Sequence, residues 1–130
     1  MATNINFPPI FNASDVYKSD DFGFYMRFEQ ESEDETKAPI DLLELTPIIY
    51  QVQEYANQAV IEKVIPEGRL SGSGIYIQGE DNDELAILVE ESEAENIKPI
   101  IHRHELIYSL ADGTTNTQWI GDVPFKDLFS

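Results

Sequence analysis

The chain has 130 residues, 25 acidic against 8 basic side chains, a formal net charge of −17 and no cysteine. A single domain of this length buries roughly two thirds of its unfolded surface, and a 42% hydrophobic content favours folding over disorder. The missing cysteines exclude thiol catalysis, disulfide frameworks and cysteine-rich zinc sites, while the acidity excludes electrostatic capture of nucleic acid or of an anionic bilayer.

No apolar run approaches the ~20 residues of a membrane span, and the N-terminus has neither a basic n-region nor an apolar h-region. The expectation is a soluble chain made in the cytosol, without membrane insertion. Residues 1–14 carry no charge and display Ile5, Phe7, Ile10 and Phe11 around Pro8-Pro9. Paired prolines fix φ and remove two donors, which disfavours a helix and predicts an extended arm. Two readings stay open for it: a first strand against its own domain, or a segment that docks on a neighbouring subunit. The body is then a single domain over residues 15–130.

Phe22, Phe24, Met26 and Phe28 alternate with Gly23, Tyr25, Arg27 and Glu29, the pattern of a half-buried strand. Residues 30–37 read as an acidic loop, and a second strand is expected to begin near Pro39-Ile40-Asp41-Leu42. Residues 46–65 support two assignments. Thr46 and Pro47 can open a helix that places Ile48, Val52, Tyr55, Ala59 and Val60 at helical spacing. Alternatively Ile48, Tyr50 and Val52 alternate in one strand and Val60, Glu62 and Val64 in the next, with residues 55–58 as the turn. The β-branched ends favour strands and the Gln/Glu/Ala centre favours helix.

Turn signals at Pro66-Glu67-Gly68 and Ser71-Gly72-Ser73-Gly74 precede a short strand at Ile75-Tyr76-Ile77. Residues 79–84 form an acidic turn, rich enough in oxygen ligands to raise calcium but without the spacing of an EF-hand. Leu85, Ile87 and Val89 alternate with Ala86, Leu88 and Glu90, predicting a strand apolar on both faces. Ser92 is placed to cap one helical turn that stops before Pro99. The Asp112-Gly113 dipeptide predicts a two-residue hairpin turn. Counting from it sets Leu106 opposite Trp119, Tyr108 opposite Thr117, His104 opposite Gly121 and Arg103 opposite Asp122, with Leu106 and Tyr108 facing the core.

Candidate chemistry is sparse. His102 and His104 have the His-x-His spacing that lets two imidazoles on one strand face reach a metal. Their position on the Leu106 side favours buried, hydrogen-bonded histidines instead, and no cofactor is expected. No nucleophile elbow, phosphate-binding glycine loop or nucleophile–base pair can be assembled. Tyr25, Tyr76 and Trp119 are candidates for a saccharide-stacking platform, with Trp119 better placed for the core.

The order of Lys18-Ser19-Asp20-Asp21-Phe22, Pro39-Ile40-Asp41-Leu42, Gln51-Val52-Gln53, Val60-Ile61-Glu62 and Ile97-Lys98-Pro99 before an Asp-Gly hairpin resembles the immunoglobulin-like β-sandwich modules of tailed-phage virions. These occur in baseplate, tail and fibre-attachment proteins, and the resemblance spans most of residues 15–123. The sequence departs from the pattern at Pro99-Ile100, His102-Arg103-His104 and Glu105, where such modules usually have Pro-Gly, Tyr-x-Tyr and Asp. The resemblance implies an all-β, immunoglobulin-like antiparallel β-sandwich with at most one short helix, and two strands over 46–65; an α+β fold with a helix there is the alternative. It also implies a non-enzymatic virion component, assembled in the host cytoplasm in many copies. Such a component would dock other virion proteins through Ile5, Phe7, Ile10 and Phe11, and through Phe125 and Phe129 near the C-terminus. The rival reading is an acidic inhibitor that imitates nucleic acid and occupies the groove of a DNA-binding protein or nuclease.

Overall fold

The computed structural model describes residues 16–17, 21–31, 37–55, 58–95, 97–109, 113 and 115–126. Eleven strands are defined there: β1 (Val16–Tyr17), β2 (Phe22–Arg27), β3 (Glu29–Glu31), β4 (Lys37–Pro39), β5 (Ile48–Tyr55), β6 (Gln58–Ile65), β7 (Ser71–Gly72), β8 (Ile75–Gln78), β9 (Glu84–Val89), β10 (Ile101–Ser109) and β11 (Thr115–Lys126). A 3₁₀ turn at Leu42–Leu45 and one helical turn, α1 (Glu91–Ala94), complete them. The strands form a five-stranded sheet in the order β1-β11-β10-β5-β6 and a four-stranded sheet in the order β2-β9-β8-β7, with β3 and β4 paired separately. All pairs are antiparallel except β1 with β11. The chain is therefore an all-β sandwich, and 46–65 is two strands, not a helix.

Alternation builds the core. Along β2, Phe22, Phe24 and Met26 point inward and Tyr25 and Arg27 outward, as the period-2 pattern requires. Phe24 reaches across to the other sheet, its ring 5.8 Å from Tyr50 and 5.5 Å from His104, while Phe22 lies 5.7 Å from Phe125. Each such tilted or edge-on ring pair adds about 0.5–1.5 kcal/mol beyond its area burial. The inner faces otherwise fill with Ile48, Val52, Ile61, Ile65, Leu106 and Val123 from one sheet and Ile75, Leu85, Ile87 and Val89 from the other. Close packing of this kind turns two half-apolar sheets into one core.

Several local expectations are corrected. The second strand does not begin at Pro39: Asp41 accepts from the Leu43 N–H at 3.0 Å and caps the 3₁₀ turn. In β6 the buried set is Ile61, Lys63 and Ile65, while Glu62 is exposed and Val64 half-buried; the register shift between Val52 and Gln53 leaves Val60 as the extra residue, and it too packs against the core. Only one face of β9 is buried, since Leu88 is exposed. The cap of α1 is Glu90 and not Ser92. Arg103↔Asp122, His104↔Gly121 and Leu106↔Trp119 pair as expected, but Tyr108 lies opposite Asn116 and not Thr117, with a register shift between Leu106 and Ile107.

The acidic turn at 79–83 is a latch rather than a wholly solvated loop. Asp83 is buried and accepts from Arg27 Nε at 2.9 Å. The Asp83 carbonyl accepts from Phe28 N–H at 2.8 Å, and the Asn82 carbonyl from Leu42 N–H at 2.9 Å. The turn thus fastens the end of β2 and the 3₁₀ turn to the β8–β9 hairpin.

Candidate functional site

His102 and His104 share one face of β10, both buried, and the Nδ1 of each is hydrogen-bonded within the protein, while His102 Nε2 is buried without a hydrogen-bond partner. The Ile100 carbonyl can only accept, so the His102 Nδ1–H donates to it at 2.9 Å. His102 also meets Phe125 edge-on at 4.9 Å. His104 Nδ1 shares a hydrogen bond with the Tyr50 hydroxyl at 3.0 Å, and burial pushes that phenol's pKa up, so it stays neutral. Among the described residues no group of three or more His, Asp or Glu is gathered that could hold a metal ion.

Of the expected contact residues, Phe125 is a core residue: it is 1% exposed and packs against Phe22 and His102. Its position on β11 turns it inward, which corrects its assignment to a docking surface. Ile5, Phe7, Ile10, Phe11 and Phe129 lie outside the described residues. The strand that follows the neutral segment is nonetheless fixed. Val16 pairs with Phe125 and Tyr17 with Lys126, so β1 forms one edge of the five-stranded sheet.

A different set of side chains gathers on the outer face of the four-stranded sheet. Tyr25 on β2 and Tyr76 on β8 both stand opposite Ala86 on β9, and are 61% and 41% exposed. Glu84 lies on the same face of β9, two residues before Ala86, and its carboxylate, with desolvation and the negative charge of Asp83, raises the Tyr25 phenol's pKa. One register row further on, Leu88 is 41% exposed and its N–H bonds to the Gly74 carbonyl at 2.8 Å.

Beside Leu88 and Tyr76 opens a notch of about 270 Å³, also lined by Lys63, Ser73, Gly74, Glu90 and Glu93. Lys63 starts on the core-facing side of β6, and its ammonium emerges at this notch to pair with Glu93. Gly74 makes the passage possible: a Cβ there would sit 2.8 Å from Lys63 Nζ and 2.7 Å from the Leu88 carbonyl oxygen, and its φ is +77°. Partial burial of Glu93 works against ionisation. The hydrogen bond from Lys63, the Glu90 backbone N–H at 2.8 Å and the Lys63 charge outweigh it and hold the carboxyl below the usual range.

Sequence reasoning named Tyr25 and Tyr76 but could not put them on one face, and Trp119 belongs to the other sheet. It missed Lys63, Gly74 and Glu93; the small residues at 71–74 were the available signal, read only as a turn. No helix among the described residues is long and apolar enough to cross a membrane. Comparisons with known proteins give no match to any family model, curated protein or solved structure.

Proposed function

We propose that this chain is a non-enzymatic structural module of a tailed-phage virion that docks neighbouring subunits through its uncharged N-terminal segment. The observation that carries the reading is β1: Val16 and Tyr17, just beyond that segment, are held at a sheet edge by pairing with Phe125 and Lys126. A segment leaving a sheet edge can add backbone hydrogen bonds to a partner and seat Phe7 and Phe11 in apolar pockets. The body of the protein, at a net charge of −17, repels further copies. Attachment therefore needs apolar contacts, and residues 1–14 hold Ile5, Phe7, Ile10 and Phe11 without a charge. The virion assignment itself rests on the resemblance carried by residues 15–123.

Removing residues 1–12 is expected to leave the sandwich folded, by circular dichroism and thermal melting, while preventing incorporation into particles. Incorporation of the folded truncation at the normal level overturns the reading.

A further inference from the structure

We propose that the outer face of the four-stranded sheet binds a neutral saccharide chain, with Tyr25 and Tyr76 as its stacking platforms. The two residues lie on strands separated only by β9 and share Ala86 as their register partner. Adjacent strands are about 4.8 Å apart, so the two α-carbons are roughly 10 Å apart, a span that alternate rings of one saccharide chain can cover. Ala86 leaves a shallow floor between them.

A pyranose has an apolar C–H face and a rim of hydroxyls, and needs both an aromatic surface and acceptors close by. Here the acceptors are the carboxylates of Glu84, beside Tyr25, and Glu90, at the notch beside Tyr76. A protein seated over this row would have to strip water from those carboxylates; a saccharide brings hydroxyl donors to them. Charge selects among saccharides. The cations at this face, Arg27 and Lys63, are already paired with Asp83 and Glu93, and the chain's net charge repels sulfated or uronic-acid polymers. The ligand class is therefore neutral.

This inference is independent of the docking reading, because loss of residues 1–12 leaves the tyrosine face unaltered. The test is a glycan array probed with the labelled full chain, followed by calorimetric titration of the best neutral hit. Tyr25→Ala and Tyr76→Ala are each expected to weaken binding about tenfold or more, as loss of one aromatic platform requires. Tyr76→Phe, which keeps the ring, should stay within about threefold, and affinity should be unchanged between 50 and 500 mM salt because no charge is recognised. Both alanine positions are outward and exposed, so thermal melting should show the fold intact. An array with no neutral hit, binding retained in the double alanine variant, or binding confined to charged glycans overturns the proposal. So does a face whose alanine variants fail to enter particles while binding no glycan, because the occupant is then a protein.

Discussion

Lys63 starts on the core side of a strand with its side chain 5% exposed, while its partner Glu93 is 36% exposed. The two ends of this ion pair therefore have unequal value. Replacing Glu93 leaves a cation that water reaches poorly, whereas replacing Lys63 leaves a carboxylate that can hydrate. Glu93→Gln is expected to destabilise the protein by about 1–2 kcal/mol at pH 7, near the low end for charged hydrogen bonds because Glu93 is partly screened by solvent. Lys63→Met, which keeps the buried stem, should cost less. The pH dependence follows from the lowered pKa of Glu93. A carboxyl whose folded pKa is depressed contributes stability that is fully present above the unfolded value and is lost as pH falls through the folded one. Urea unfolding of wild type and Glu93→Gln should therefore show a gap that is full at pH 7 and closes as the pH drops below the ordinary carboxylate range. A gap that does not change with pH would falsify the assignment of this stability to the ionised pair.

Among the elements, β6 and β7 meet where the chain crosses from one sheet to the other, and Gly72 sets how closely. A Cβ there would lie 1.7 Å from the Val64 carbonyl oxygen, a backbone atom that cannot rotate away. Gly72→Ala is expected to cost about 3 kcal/mol in chemical denaturation, the upper part of the range for overpacking. Ser71→Ala, on the exposed neighbour, should stay within about 0.5 kcal/mol; equal effects at both positions would argue against the close approach. What could be read from the sequence follows the same division between local and long-range causes. The β2 alternation was legible because each residue's face depends only on its neighbours in the chain. The strands at 46–65 were expected through the resemblance and not from the local pattern, which was even between helix and strand, since β5 is a strand by virtue of ladders to β10 on one side and β6 on the other. The inward position of Lys63 was not legible, because its exit past Gly74 is a tertiary contact. The β10–β11 register was legible far from the turn for a compensating reason. Near the turn the pairs Ile107↔Thr117 and Tyr108↔Asn116 run one residue short of the two-residue count, and the extra residue at Gln118 restores it by Leu106↔Trp119. A bulge of this kind has no local signature. Likewise Tyr25 and Tyr76 are each visible in the sequence, but only the β2-β9-β8 order makes them neighbours.

At the scale of the whole molecule, the charge is arranged so that attraction is local and repulsion general. If every one of the 8 cations were paired, 17 carboxylates would still lack a countercharge, and the described ion pairs, Arg27–Asp83, Lys63–Glu93 and Lys98–Glu54, already tie up three of those cations. A compact chain of this length has a radius of gyration of about 14 Å. The screening length is about 30 Å at 10 mM salt and about 8 Å at 150 mM. At low salt every carboxylate therefore feels most of the others; at physiological salt it feels only its neighbours. Short ion pairs are weakened much less over the same range, because their partners are in contact and Lys63 and Asp83 are buried. The balance predicts that the melting temperature rises as sodium chloride goes from 10 to 150 mM. Each kcal/mol of relieved repulsion should appear as roughly 3–6 °C in a domain of this size. Calorimetry at constant pH measures this directly. A melting temperature that falls with salt would mean that the few ion pairs outweigh the collective repulsion, and would remove the argument that copies of this acidic body are kept apart unless an uncharged segment draws them together.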